Sequence, residues 1–236
     1  MTASPELAGR LAAVRGRIDA AARAAGRDPA GVRLVGITKT HPVAVAVAAR
    51  ALGLEDLGEN RTSELVAKAA AVPDARWHLV GRLQRNKVRD VVGRGFLLHG
   101  VDRRPLVDVV ADRAEALGTV QDVLLQVNVG ADPAKGGCDL TDLPDLLTYA
   151  SARSGLRVRG LMTVPPLPAP GEDPGAAAAP VFARLRAARD DLREDHPELE
   201  ELSMGMSDDL EAAVREGATL VRIGTALFGA RPEVGA

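Results

Sequence analysis

Lys39 directly follows Leu34-Val35-Gly36-Ile37-Thr38, so a lysine stands where an apolar run stops. At the end of a buried strand a lysine loses its proton more readily than on a surface, where its pKa is about 10.4, and the free amine is a nucleophile toward carbonyl carbon. The plainer reading is a lysine that marks a strand end and reaches solvent. Near the other end of the chain, Leu220-Val221-Arg222-Ile223-Gly224-Thr225 sets an arginine inside an apolar run, with a Gly-Thr pair after it. Ser203-Met204-Gly205-Met206-Ser207 closes the preceding run. Glycines and hydroxyls at such ends suit a backbone cradle for phosphate, although ordinary turn and capping chemistry uses the same residues.

Other candidates carry less. His78 and His99 could be ligands or acid–base groups, but isolated histidines near strand ends are more often packed or hydrogen-bonded. Cys138 is the only cysteine, which excludes an internal disulfide framework and an all-thiolate metal site within one chain. It has no base partner nearby in sequence, so a catalytic thiol is the minor option. Neither H-E-x-x-H nor a paired-cysteine motif occurs. Arg82, Arg85, Lys87 and Arg89 read as a solvated helix face, with a phosphate-binding loop as the alternative.

These residues need a scaffold that gathers strand ends. Short Val-, Ile- and Leu-rich runs predict strands at Val32 to Thr38, Leu54 to Gly58, Trp77 to Gly81, Phe96 to Val101, Val123 to Asn128, Val158 to Thr163, Glu201 to Met204 and Leu220 to Gly224. Several are apolar on both faces, as parallel strands under helices are. Ser4 and Pro5 open a helix ahead of the first strand, and Gly26 closes it. Pro42 suits the first turn of the next helix, which ends at Gly53. Val181, Leu185, Ala188 and Leu192 form another helical stripe, and Ser207 is expected to cap a helix with Asp208 and Asp209 in its first turn and Gly217 at its end. Pro165 to Pro180, rich in Pro, Ala and Gly, is expected to be an irregular insertion after the sixth strand.

Strand–helix alternation at this length predicts an α/β fold, a single (β/α)8 TIM barrel with an extra N-terminal helix, spanning residues 1–236 as one domain. A doubly wound sheet is the alternative, weakened because no G-x-G-x-x-G follows the first strand and no P-loop motif occurs. In a barrel the site lies at the C-terminal strand ends, and phosphate often sits at the loops after strands seven and eight, where Ser203 and Gly224-Thr225 fall.

Composition narrows the partners. Of 236 residues, 46% are hydrophobic and 26% charged, which excludes wholesale disorder. Thirty Lys and Arg against thirty-two Asp and Glu leave a net charge of −2, so no global positive field attracts nucleic acid or anionic lipid. An aromatic content of 2% leaves little for a base-stacking platform. The start offers no signal-peptide pattern and no apolar run approaches a membrane span, so a cytoplasmic protein with no membrane and no nucleic-acid partner is expected.

Six segments together carry a resemblance: Gly36-Ile37-Thr38-Lys39, Gly58-Glu59-Asn60-Arg61, Trp77-His78-Leu79-Val80-Gly81-Arg82-Leu83-Gln84-Arg85-Asn86-Lys87, Gly160-Leu161-Met162-Thr163, Leu202-Ser203-Met204-Gly205-Met206-Ser207-Asp208-Asp209 and Val221-Arg222-Ile223-Gly224-Thr225. In this order, over nearly the whole chain, they resemble the pyridoxal phosphate homeostasis protein family (YggS/PROSC). The family usually has His and Ser where Arg82 and Arg85 stand here. The resemblance implies a fold-type III barrel like the N-terminal domain of alanine racemase, binding pyridoxal 5'-phosphate (PLP). Lys39 would form the internal aldimine, Arg222 would face the pyridine nitrogen, Ser203, Gly224 and Thr225 would hold the phosphate, and Asn60 and Met204 would line the pocket. It further implies a monomer that holds PLP for vitamin B6 homeostasis, with PLP-requiring apoenzymes as possible recipients and no efficient turnover.

Two other readings compete. One is a PLP-dependent amino-acid racemase or related enzyme; the other is an unrelated barrel enzyme in which Lys39 forms a Schiff base with a phosphorylated carbonyl substrate. Against the racemase, an arginine at the pyridine nitrogen disfavours protonation there and makes the ring a poorer electron sink. In alanine racemases the opposing acid–base tyrosine comes from a second domain across the dimer, whereas this chain ends eleven residues after Thr225. Its only tyrosine, Tyr149, falls in a predicted outer helix.

Overall fold

A strand that is apolar on both faces needs cover on both, and in the computed structural model, which describes residues 5–230, each strand has it. Among the described residues eight parallel strands close into a barrel in chain order. They are β1 (Arg33–Ile37), β2 (Asp56–Glu59), β3 (Arg76–Leu79), β4 (Leu97–Val101), β5 (Gln121–Gln126), β6 (Leu156–Met162), β7 (Glu201–Ser203) and β8 (Leu220–Ile223). Between them run α2 (Val43–Ala51), α3 (Thr62–Ala71), the one-turn α4 (Val88–Val91), α5 (Arg104–Ala116), α6 (Leu143–Ser151), α7 (Pro174–Leu192) and α8 (Leu210–Arg215). α1 (Pro5–Ala24) precedes the barrel and packs against α8 and the short α9 (Thr225–Phe228), so a helix follows even the last strand.

The alternation of a strand divides the apolar residues between two cores. Leu34 turns outward into the large cluster between sheet and helices, while Val35 and Ile37 turn inward. The inner cluster is small: Val35, Ile37, Leu124, Met162 and Leu220, with Val80, Leu97 and Val164 against it. The registers Val35↔Asp56 and Val35↔Arg222 bring polar residues of adjacent strands level with this layer. Gly81, just past β3, is required because a Cβ there would stand 2.1 Å from the Asn60 carbonyl oxygen.

Three local expectations differ. The segment Pro165 to Pro180 is irregular only as far as Asp173, whose Oδ1 accepts the Ala176 N–H at 2.7 Å and caps α7; Pro180 lies within that helix, exposed. The buried face of α7 is Ala178, Phe182, Leu185 and Arg189, leaving Val181, Ala188 and Leu192 half-buried beside it. α8 begins at Leu210 rather than after Ser207, so Asp208 and Asp209 precede its first turn. Gly26, Gly53 and Gly217 take positive φ after their helices, Pro42 immediately precedes α2, and Ser4 lies outside the described residues. Among the described residues no helix is long and apolar enough to cross a membrane.

Candidate functional site

The loop after β1 is held unusually tightly. Thr40 has φ +67°, a left-handed conformation disfavoured for a branched residue, and its N–H donates to Glu64 Oε2 of α3 at 2.9 Å. The His41 N–H donates to the Thr38 carbonyl at 3.0 Å, closing the turn around Lys39. Behind the turn, Lys68 Nζ donates to the Thr38 carbonyl at 2.7 Å and to Glu59 Oε1 at 2.6 Å, and Thr38 Oγ1 donates to the same carboxylate. Burial pushes the Glu59 carboxyl up, against the opposing pull of Lys68 and Thr38. Lys39 therefore leaves the end of β1 from a turn pinned by α3.

Across the barrel mouth, burial pulls the Arg222 guanidinium down to about 10, with Asp209 opposing, so it stays charged at neutral pH. Its Nη1 donates to Ser203 Oγ at 2.8 Å and its Nη2 to the Thr163 carbonyl at 2.9 Å. Asp209 Oδ1 accepts the Met206 N–H and fixes the turn that carries Ser207. Ser207 Oγ accepts the Ala226 N–H at 3.3 Å, joining the loop after β7 to the start of α9.

A cavity of about 570 Å³ opens at this rim, within the usual size range of small-molecule sites. Lys39, Asn60, Arg222, Gly224 and Thr225 line it, joined by Ile37, Val80, Val164, Arg17, Met206, Ser207, Asp208 and Ala226. Residues picked from opposite ends of the sequence thus meet in one wall.

Two of the expected residues are not among those lining this cavity. Ser203 is fully buried, and its Oγ sits between Arg222 and His99 Nδ1, 2.9 Å away. Met204 is likewise fully buried in the outer core, its N–H donating to the Leu220 carbonyl, and does not line the cavity. Ser207, four residues on, takes the rim position.

His78 and His99 are buried and hydrogen-bonded, the plainer of their two readings. Burial pushes the Cys138 thiol up to about 12, which opposes thiolate chemistry. The basic stretch is a loop leading through a 3-10 turn, Arg85–Lys87, into α4 rather than a helix face. Arg82 and Arg85 share a second concavity of about 550 Å³ with Arg103, which pairs with Asp102. No group of three His, Cys, Asp or Glu among the described residues could hold a metal. Sequence reasoning missed Lys68, Glu59 and Arg17; the usable signal was Leu65 and Lys68 three apart on one helix face, which puts a charge on a buried stripe.

A barrel with a lysine after its first strand and an arginine in its last defines a class: residues 10–232 match the family model described as alanine racemase, N-terminal domain. The chain is 44% identical over 225 residues to a pyridoxal phosphate homeostasis protein of Aquifex aeolicus, covering 94% of this chain and 97% of that one. It is 45% identical over 227 residues to the protein so named in Pseudomonas aeruginosa, covering 95% and 96%. The solved structure of PipY from Synechococcus elongatus PCC7942, with PLP bound, superposes with a TM-score of 0.80 at 37% identity, covering 94% of this chain and 100% of that one. The chain belongs to the pyridoxal phosphate homeostasis protein family.

Proposed function

We propose that this protein binds PLP in the rim cavity and holds it for intracellular vitamin B6 homeostasis, the described barrel acting as one unit within a single domain. The observation that carries the reading is the convergence of Lys39, Arg222, Ser207, Gly224 and Thr225 on one cavity, in a chain whose PLP-bound relative shares its fold over nearly its full length. The lining fits the ligand. Arg17 at the rim is paired with Glu211 at 2.6 Å, while Lys39 and Arg222 share the lining with one carboxylate, Asp208, a balance that favours an anion. A Cβ added at Gly224 would meet nothing closer than the Ile37 carbonyl at 3.5 Å, so glycine leaves open space in the wall where a phosphate needs close backbone approach.

When bound, PLP supplies an aldehyde for a lysine amine and an electron-withdrawing ring. Lys39 is the amine that holds it covalently. Gly224, Thr225 and Ser207 hold the phosphate, with Ser203 reassigned to the support of Arg222. Asn60 walls the cavity beside Lys39. Arg222 would face the ring nitrogen and, being charged itself, would discourage a proton there. That arrangement tempers carbanion chemistry and favours a carrier that passes PLP to apoenzymes as a monomer over a racemase. Tyr149, the only tyrosine, donates its hydroxyl to Asp108 Oδ1 at 2.7 Å in the outer layer, away from Lys39.

Titrating the protein with PLP is expected to produce a visible absorbance band, and Lys39→Ala to abolish it while circular dichroism stays unchanged. A full-strength band in folded Lys39→Ala would contradict the assignment.

A further inference from the structure

Four hydrogen bonds cross the barrel interior below Arg222. Arg222 Nη1 lies 2.8 Å from Ser203 Oγ, Ser203 Oγ 2.9 Å from His99 Nδ1, His99 Nε2 2.9 Å from His78 Nδ1, and His78 Nε2 2.9 Å from Asp56 Oδ1. All five residues are buried. The chain ends at the opposite mouth of the barrel, where Asp56, Arg76, Arg33 and Glu201 begin their strands and line a cavity of about 190 Å³ together with His78.

We propose that Asp56, His78, His99 and Ser203 form a polarised hydrogen-bond relay that positions Arg222 and takes its direction from Asp56. Arg222 can only donate and an ionised Asp56 can only accept, so both ends are chemically fixed. With one proton on each histidine, a single arrangement satisfies every link: Arg222 N–H to Ser203 Oγ, Ser203 O–H to His99 Nδ1, His99 Nε2–H to His78 Nδ1, and His78 Nε2–H to Asp56. The link dipoles all point the same way, from the buried cation to the buried anion, and each bond polarises the next. A second proton on His78 would reverse the two middle links and leave Ser203 Oγ accepting from both sides.

The surrounding charges favour the neutral state of His99. Burial first, with the charges of Arg222 and Arg33 adding to it, keeps His99 well below its ordinary range. Asp56 is anchored by Arg76, whose Nη2 meets Oδ2 at 2.7 Å, with Arg33 at 3.9 Å and held in turn by Glu201. His99 and Ser203 are thus positioning residues that act through Arg222. Their effect on PLP rests on the proposed function; the tautomers of the two rings do not.

The test begins on protein without PLP, labelled with ¹⁵N-histidine, where only four histidines contribute signals. At neutral pH, His78 and His99 are both expected as neutral Nε2–H tautomers. In Asp56→Asn an amide that keeps its oxygen on Arg76 Nη2 turns its NH2 to His78 Nε2, giving up the Arg76 Nε bond to the Oδ1 position, and both rings are then expected to switch to Nδ1–H. An Nδ1–H or doubly protonated ring at either position in the unsubstituted protein overturns the relay, as does a switch at His78 alone in Asp56→Asn; should that variant not fold, the unsubstituted tautomers decide. Ser203→Ala is then titrated with PLP: an approximately tenfold higher dissociation constant and a shifted absorbance maximum are expected, both restored in Ser203→Thr. Unchanged affinity and spectrum in folded Ser203→Ala overturn the positioning role. Failure of the unsubstituted protein to bind PLP would instead refute the proposed function and leave the tautomer result standing.

Discussion

Lys39 and Arg222 were legible as single residues because each interrupts an apolar strand pattern at a place where a barrel exposes its strand ends. Ser203 and Ser207 were not separable that way. They lie four residues apart in one Ser-Met-Gly-Met-Ser segment, and the depth of each is set by Gly205, with φ +93°, and by the Asp209 bond to the Met206 N–H. Gly224→Val tests the phosphate end, since a Cβ added there stands at ordinary contact distance, 3.5 Å from the Ile37 carbonyl oxygen. A rise in the PLP dissociation constant of about tenfold or more is expected, with a small change in melting temperature; unchanged retention would place the phosphate elsewhere. Asp56 gives a pH signature. Burial opposes its ionisation, but hydrogen bonds from His78 and Arg76 outweigh burial and hold its carboxyl well below the usual range. A folded pKa below the unfolded value of about 3.9 stabilises the fold above that pH and loses its contribution as pH falls below it. The stability gap between the unsubstituted protein and Asp56→Asn should therefore narrow between pH 6 and pH 3, which thermal melts across that range measure.

Elements were more legible than their boundaries. All eight strands were visible as apolar runs because burial on both faces leaves little room for polar residues. The start of α7 was hidden by Pro180: a proline within an alanine-rich stretch reads as a breaker, yet the Asp173-Pro174 cap sets the helix going before it. The pairing of α3 with the end of β1 was illegible, because Glu59 and Lys68 lie on different elements and only the fold brings them together at 2.6 Å. Their side chains are 0% and 4% exposed, so Lys68→Met should leave a buried carboxylate uncompensated and cost about 3–5 kcal/mol in urea unfolding. Adding Glu59→Gln to Lys68→Met should recover much of that loss. A Lys68→Met protein as stable as the unsubstituted one would mean that the turn under Lys39 is held by other contacts.

At the scale of the molecule, the closed barrel explains why residues nearly two hundred positions apart, Lys39 and Arg222, share one cavity: β1 closes directly onto β8. The same closure brings a chain of buried polar side chains across the barrel, and Arg222 is held by its Ser203 end. Under the proposed function the site retains an anionic ring compound rather than shuttling protons on both of its faces. Incubated with PLP and L-alanine in deuterated water, the protein is expected to give no fast deuterium incorporation at Cα and no D-enantiomer; their appearance would favour the racemase reading. The central claim, that PLP is held by Lys39, is tested most directly by reducing the PLP-loaded protein with borohydride and mapping the label by peptide mass spectrometry. A stable adduct at close to one equivalent on the peptide containing Lys39 is the expected result, and a fully labelled protein whose adduct lies on Lys68, Lys87 or Lys135 would contradict it.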